Sequence, residues 1–129
     1  MDHGTGKTMR FTLHGMVFEY DEQKSIINYE KHGITFKNAA LVFLDYNRVE
    51  LFDEMHSAEE DRYQTIGCAE IHENLSTGTT SESYGTILFV VYTERTAITQ
   101  NGKEIEVTRI ISAREATSFE RGIYYGKYN

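Results

Sequence analysis

Cysteine is nearly absent. Cys68 is the only one among 129 residues, which excludes an internal disulfide and any multi-cysteine zinc site. Its neighbours Ile66 and Ala69 read as strand, and no helix N-terminus follows, so nothing marks Cys68 as a nucleophile. There is no run of about 18 apolar residues and no charged, apolar, small-residue leader, so neither a membrane span nor secretion is expected and the expected setting is the cytoplasm. Internal repeats and low-complexity tracts are missing too. Basic residues are outnumbered, 13 Lys and Arg against 20 Asp and Glu, for a formal charge of −7. That balance argues against a surface that coats nucleic acid generally. Also incomplete is the phosphate loop suggested by Gly4-Thr-Gly-Lys-Thr8: its leading glycine would fall at Met1, and no strand precedes it.

What is present suits one compact α+β domain, since a length of 129 residues with 40% hydrophobic content supports a single core. Residues 1–15 lack periodicity and read as a flexible N-terminal extension, leaving 16–129 as the domain. A short strand from Met16 leads to Asp21, a plausible N-cap for a helix through about Lys31 that Gly33 ends. Thr35 can cap a second short helix whose Phe36, Ala39, Ala40 and Phe43 recur at buried-face spacing. The period then changes to two. Val49–Phe52, Arg62–Ile71, Thr86–Thr93 and Glu104–Ala113 read as strands. An acidic, solvated loop spans Asp53 to Asp61, and a long Ser/Thr/Gly-rich connection spans Glu73–Gly85. Thr117-Ser-Phe-Glu120 is a capping box that opens a final helix. Consecutive hairpins imply an antiparallel sheet of about four to five strands, with two short helices before it and one after.

Charge is divided along the chain. Residues 1–94 carry −9 and residues 95–129 carry +2, so an anion site is expected in the last third. If Asn101-Gly102 forms a two-residue turn, Glu94 faces Arg109, Thr93 faces Ile110 and Arg95 faces Thr108. Alternation places Arg109 with Val107 and Ile111, and Arg114 on the opposite face unless the strand bends after Ala113. Taken singly, Arg109 reads as an ion pair ending a sheet face and Arg114 as a solvated loop residue. Functionally, a permanently charged guanidinium fork suits phosphate and the charge that builds during phosphoryl transfer. Arg121 and Tyr125 share a face of the last helix and could meet RNA, while Phe119 and Ile123 are more simply core. Lys31 and His32 complement a helix dipole, though His32 is also the best general acid or base by type. His56 and His72 lack a third ligand in metal spacing, so no metal site is expected.

Several segments together resemble the BrnT family of toxins from bacterial type II toxin–antitoxin systems, relatives of the RelE-like ribonucleases. They include Phe18-Glu-Tyr-Asp21, Lys31-His-Gly33, Arg62-Tyr63, Thr93-Glu-Arg95, Arg109-Ile-Ile-Ser-Ala-Arg114, Glu120-Arg121 and Tyr125. The resemblance implies a RelE-like α+β toxin that cleaves RNA without metal or cofactor and stops translation. It also implies neutralisation by a BrnA-type ribbon-helix-helix antitoxin, which would supply the only contact with promoter DNA. The charged positions that match are Lys31, His32, Arg62, Glu94, Arg95, Arg109, Arg114 and Arg121. Of these, Glu94 or His32 is expected to move protons, and Arg109 with Arg95 or Arg114 to hold the phosphate. The N-terminal residues, the Glu73–Gly85 segment and the long Arg95–Thr108 hairpin fall outside the family pattern. A module that binds its partner without cutting RNA is the competing expectation.

Overall fold

The computed structural model describes residues 6–52, 61–74 and 81–126, and of 71–74 and 81–84 the backbone alone. Strand β1 (Thr8–Leu13) turns into β2 (Met16–Asp21), followed by helix α1 (Glu22–His32) and the single-turn α2 (Phe36–Ala39), which tightens into a 3-10 turn over Ala40–Leu44. Strands β3 (Val49–Phe52), β4 (Arg62–Asn74), β5 (Ser81–Ile98) and β6 (Glu104–Glu115) precede helix α3 (Ser118–Tyr124). The strands form one six-stranded sheet in the order β1-β2-β6-β5-β4-β3. All neighbours are antiparallel except β2 and β6, which run parallel. The fold is α+β.

One sheet face carries the core. Alternation along the strands turns Phe18, Val90, Tyr92 and Ile110 to the same side, where they meet Phe36, Ala39, Ala40 and Val42 of the short helical segment, and all eight are buried. Phe43 links the layers, its ring centroid 5.3 Å from Phe18 and 4.9 Å from Tyr92, within the range of favourable aromatic pairs. Gly67 permits the close approach: a Cβ there would lie 3.1 Å from the Cβ atoms of both Val42 and Arg48, so a side chain would require these neighbours to give by a few tenths of an ångström.

Helix starts and stops follow the sequence. Asp21 accepts from the Lys24 N–H, Thr35 from Asn38 and Thr117 from Glu120, whose carboxylate returns to the Thr117 N–H to complete the capping box. Helix α1 ends at Gly33. Its apolar residues do not dock it, since Ile26, Ile27 and Tyr29 are about half exposed. The buried contact is Asn28, whose amide donates to Ala113 O (2.8 Å) and Ile34 O (3.1 Å) and accepts from Ala113 N (3.1 Å). Parallel pairing of β2 with β6 covers only Val107–Arg109. Asn28 therefore replaces a missing strand partner further along β6, satisfying backbone groups that burial would otherwise penalise.

Four expectations need correction. Residues 8–13, read as part of a loose extension, form β1. His14 and Gly15 both have positive φ (49° and 79°) and close a two-residue turn between paired Leu13 and Met16, the geometry of a tight hairpin. Parallel pairing of β2 with β6 makes the sheet mixed rather than antiparallel, with six strands rather than four or five. The β5–β6 connection has five residues, Thr99–Lys103, because Ile98 pairs with Glu104 and Thr99 N–H bonds Lys103 O at 2.8 Å. Asn101 cannot sit in a two-residue turn needing positive φ twice, since His14 alone among the described non-glycine residues has positive φ. Lastly, β4 extends to Asn74 and β5 begins at Ser81, so much of the expected long connection is strand; residues 75–80, and 53–60 of the acidic loop with His56, lie outside the described residues.

Replacing Asn28 with Ala strands the amide and carbonyl of Ala113 away from water. Loss of about 2–4 kcal/mol of stability is expected, the cost of two unsatisfied buried groups, read as a lower urea midpoint with unchanged slope. A variant as stable as the parent would show that α1 is held by something else.

Candidate functional site

On the sheet face opposite the core, register builds a transverse row. Arg62 on β4 faces Thr93 on β5, Thr93 faces Arg109 on β6, Arg109 faces Glu19 on β2, and Glu19 faces Arg10 on β1. Adjacent members of such a row have Cβ atoms about 4.5–5.5 Å apart. Arg95, two residues beyond Thr93 on β5, points the same way from opposite Val107. Core residues Phe18, Tyr92 and Ile110 are their immediate chain neighbours and turn to the other side.

Glu19 organises this face. Its side chain is 1% exposed, against 46% for Arg95, 45% for Arg10 and 17% for Arg109. Each carboxylate oxygen accepts two charged donors. Oε1 takes Arg95 Nη2 at 2.7 Å and Arg10 Nη2 at 3.1 Å, and Oε2 takes Arg95 Nε at 2.8 Å and Arg109 Nη1 at 2.9 Å. The Arg95 contact is thus the forked, two-bond kind. Burial alone would raise the carboxyl pKa. Hydrogen bonds from Arg95, Arg10 and Arg109 outweigh it and lower the value from 4.5 to about 2, so Glu19 is ionised at neutral pH and is no proton acceptor there. Three guanidiniums thus converge on one carboxylate.

Arg114 joins the same face by a route the regular alternation did not show. Tyr92 pairs with Ile110 but Val91 pairs with Ser112, so Ile111 is the extra residue of a β-bulge, which resets the side-chain parity of the rest of β6. Arg114 lies within the strand, opposite Phe89. Its guanidinium sits 4.3 Å from the centre of that ring and forks onto Glu120 of α3 at 2.8 and 2.9 Å, a pairing that raises the arginine pKa and lowers that of Glu120. Helix α3 thereby closes one end of the face.

Other expected site residues go elsewhere. Glu94 faces Thr108, not Arg109; the longer loop shifts the register by one, which turns Glu94 to the side of the sheet that carries the core. His32 lines a cavity of about 240 Å³ with Ala69, Thr86, Leu88 and Glu115, also on that side, and Lys31 is exposed beside it. Arg121 is tied to its own helix start, donating to Ala116 O at 2.9 Å. Tyr125 is 64% exposed and stacks edge-on with Tyr124, whose hydroxyl bonds Asp45. Phe119 is 62% exposed and so is not core. Burial, then Asp45 and Glu70, push the Cys68 thiol pKa up, which keeps it protonated. Among the described residues no three His, Cys, Asp or Glu are grouped to hold a metal ion.

Glu19 and Arg10 are the site residues that the sequence reading missed. A carboxylate between Phe18 and Tyr20 in an alternating apolar run was the available signal, but two of its partners lie 76 and 90 residues away, and Arg10, nine residues before it, falls in the segment read as an extension.

The depressed pKa has a consequence for acid stability. A carboxyl with a lowered folded-state pKa stabilises fully above its unfolded value, and that contribution drains as pH falls toward the folded one. Glu19→Gln should thus be less stable than the parent near neutrality, and the gap should narrow between pH 4.5 and about 2. Urea midpoints across that window test this; a constant gap would show that Glu19 is not the linked group.

No helix of the described residues is long and apolar enough to cross a membrane. No curated protein matches the chain. A family model does: that of the ribonuclease toxin BrnT, of type II toxin–antitoxin systems, matches residues 20–120. That span covers α1 through the capping box of α3 and includes Arg62, Arg95, Arg109 and Arg114. The chain belongs to the BrnT family of type II toxins, whose partner is an antitoxin.

Proposed function

We propose that the arginine face cuts RNA by in-line attack of a ribose 2′-hydroxyl on the adjacent phosphorus. The 2′-O–P bond forms as the P–O5′ bond breaks, leaving a cyclic phosphate and a free 5′-hydroxyl. The carrying observation is the convergence of Arg10, Arg95 and Arg109 on the single buried carboxylate of Glu19. A phosphorane concentrates negative charge on its non-bridging oxygens, and donors already fixed in place lower its energy without reorganising. Arg109, the least exposed of the three, and Arg95 are the residues assigned to that phosphate. Arg62 and Arg114 flank them.

His32 and Glu94 lie across the sheet from these arginines, so the proposal gives them no proton. Water accepts the 2′-hydroxyl proton and another protonates the departing O5′. Electrostatic stabilisation then supplies most of the acceleration, and no metal is required. Cleavage in the cytoplasm would stop translation. A BrnA-like ribbon-helix-helix antitoxin would neutralise the toxin and make the complex's only contact with promoter DNA.

A second reading is a module that binds without cutting, favoured by the placement of His32 and Glu94 away from the arginines. Labelled RNA incubated with purified protein in EDTA separates the two. Cleavage should persist, and Arg109→Ala should slow it by about 100-fold or more, the effect of removing one transition-state donor. Full activity in a folded Arg109→Ala protein would remove Arg109 from the site, and binding without cleavage by the parent would establish the second reading.

A further inference from the structure

The matched region begins at residue 20, yet the arginine row continues beyond it onto β1. We propose that Arg10 is a further RNA-phosphate contact, and that the β1–β2 hairpin extends the binding track to the edge of the sheet. This rests on the reading of the arginine face as an RNA site.

The hydrogen bonds of Glu19 support it. Arg95 and Arg109 together already satisfy Glu19 with three hydrogen bonds. Arg10 adds one longer bond of 3.1 Å from Nη2 and leaves its side chain 45% exposed. As a strut it is redundant, and its exposed guanidinium can meet an anion from solvent while Glu19 stays paired.

Position supports it as well. The His14–Gly15 turn fixes the β1 register, and all six β1 residues pair with β2. Arg10 therefore projects from a rigid strand directly opposite Glu19. From Arg62 on β4 to Arg10 on β1 the row crosses four inter-strand gaps, about 19 Å at the usual strand spacing. A single RNA strand laid across the β-strands along this row would meet a cation near each end and a third, Arg109, at the centre.

The test uses the full chain and a fluorescent, 2′-O-methylated single-stranded oligonucleotide, which cannot undergo 2′-hydroxyl attack. One lost phosphate contact lowers the slope of log affinity against log salt by about 0.7 for a single strand. Between about 50 and 200 mM salt, Arg10→Ala should thus lose about 2.6-fold less affinity than the parent. Arg10→Lys, which keeps the charge, should retain the parental slope, as should Thr12→Ala on the same strand. An unchanged slope in Arg10→Ala, alongside a reduced one in Arg109→Ala, would make Arg10 only a strut for Glu19 and overturn the inference while sparing the RNA site. Parental binding by both variants would remove the RNA site itself, and this inference with it.

Discussion

Burying a carboxylate costs several kcal/mol unless charge and hydrogen bonds are returned to it, and the parallel pairing of β2 with β6 places Glu19 under that constraint. Its neighbours on that face are then obliged to be cationic. Arg109 arrives by direct register, Arg95 by a diagonal and Arg10 through the hairpin. Truncating the carboxylate would leave three guanidiniums facing one another. Truncating any one of them would leave Glu19 with at least one donor on each oxygen. The carboxylate is therefore the least replaceable member. Under the proposed function, ion pairing and phosphate binding would be successive uses of the same donors rather than competing explanations.

The local code was legible where its cause is local. Asp21, Thr35 and Thr117 announce helix starts because a short side-chain oxygen satisfies a nearby N–H, and all three do so in the structure. The strands from Val49 onward show through period-two alternation, though the last three extend further. Two kinds of information were hidden. The β5–β6 register depended on loop length, and a five-residue loop in place of two moved Glu94 away from Arg109. The bulge at Ile111 then reversed the parity of Arg114, so sequence spacing alone put it on the wrong face. Glu19 stayed invisible as a site residue because Arg95 and Arg109 lie 76 and 90 residues away and Arg10 sits in a segment whose pairing the sequence did not reveal.

The two sheet faces divide the work. The face toward the helices is packed by aromatic and aliphatic residues, and its polar members close the structure. Tyr92, 2% exposed, donates to Glu50 at 2.6 Å, and the same carboxylate pairs with Arg48. Both bonds lower the Glu50 pKa and tie β3 to the sheet. The other face is laid on the same strands but holds Arg10, Arg95 and Arg109 around Glu19 and pairs Arg114 with Glu120. Because alternate residues of each strand serve opposite faces, a one-residue slip of β6 would exchange core for arginines. The apolar demand for Ile110 and Ala113 in the core, on opposite sides of the bulge, therefore also fixes where Arg109 and Arg114 point.

Net charge and local charge act over different distances. Screening reduces interactions between exposed charges beyond about 8 Å at physiological ionic strength. An approaching polyanion outside that range meets the average of a chain carrying −7, which offers no attraction. Within it, the guanidiniums around Glu19 dominate, because they sit a few ångströms apart and Glu19 is buried beneath them. Binding to this face should accordingly depend on contact geometry more than on long-range steering. Under the proposed function such a surface would discriminate by shape: a phosphate that reaches the row would gain several charge-assisted bonds, and one that cannot reach it would gain almost none. Acidic composition elsewhere is then compatible with an anion site, since it suppresses indiscriminate adsorption of nucleic acid without weakening bonds made at 3 Å.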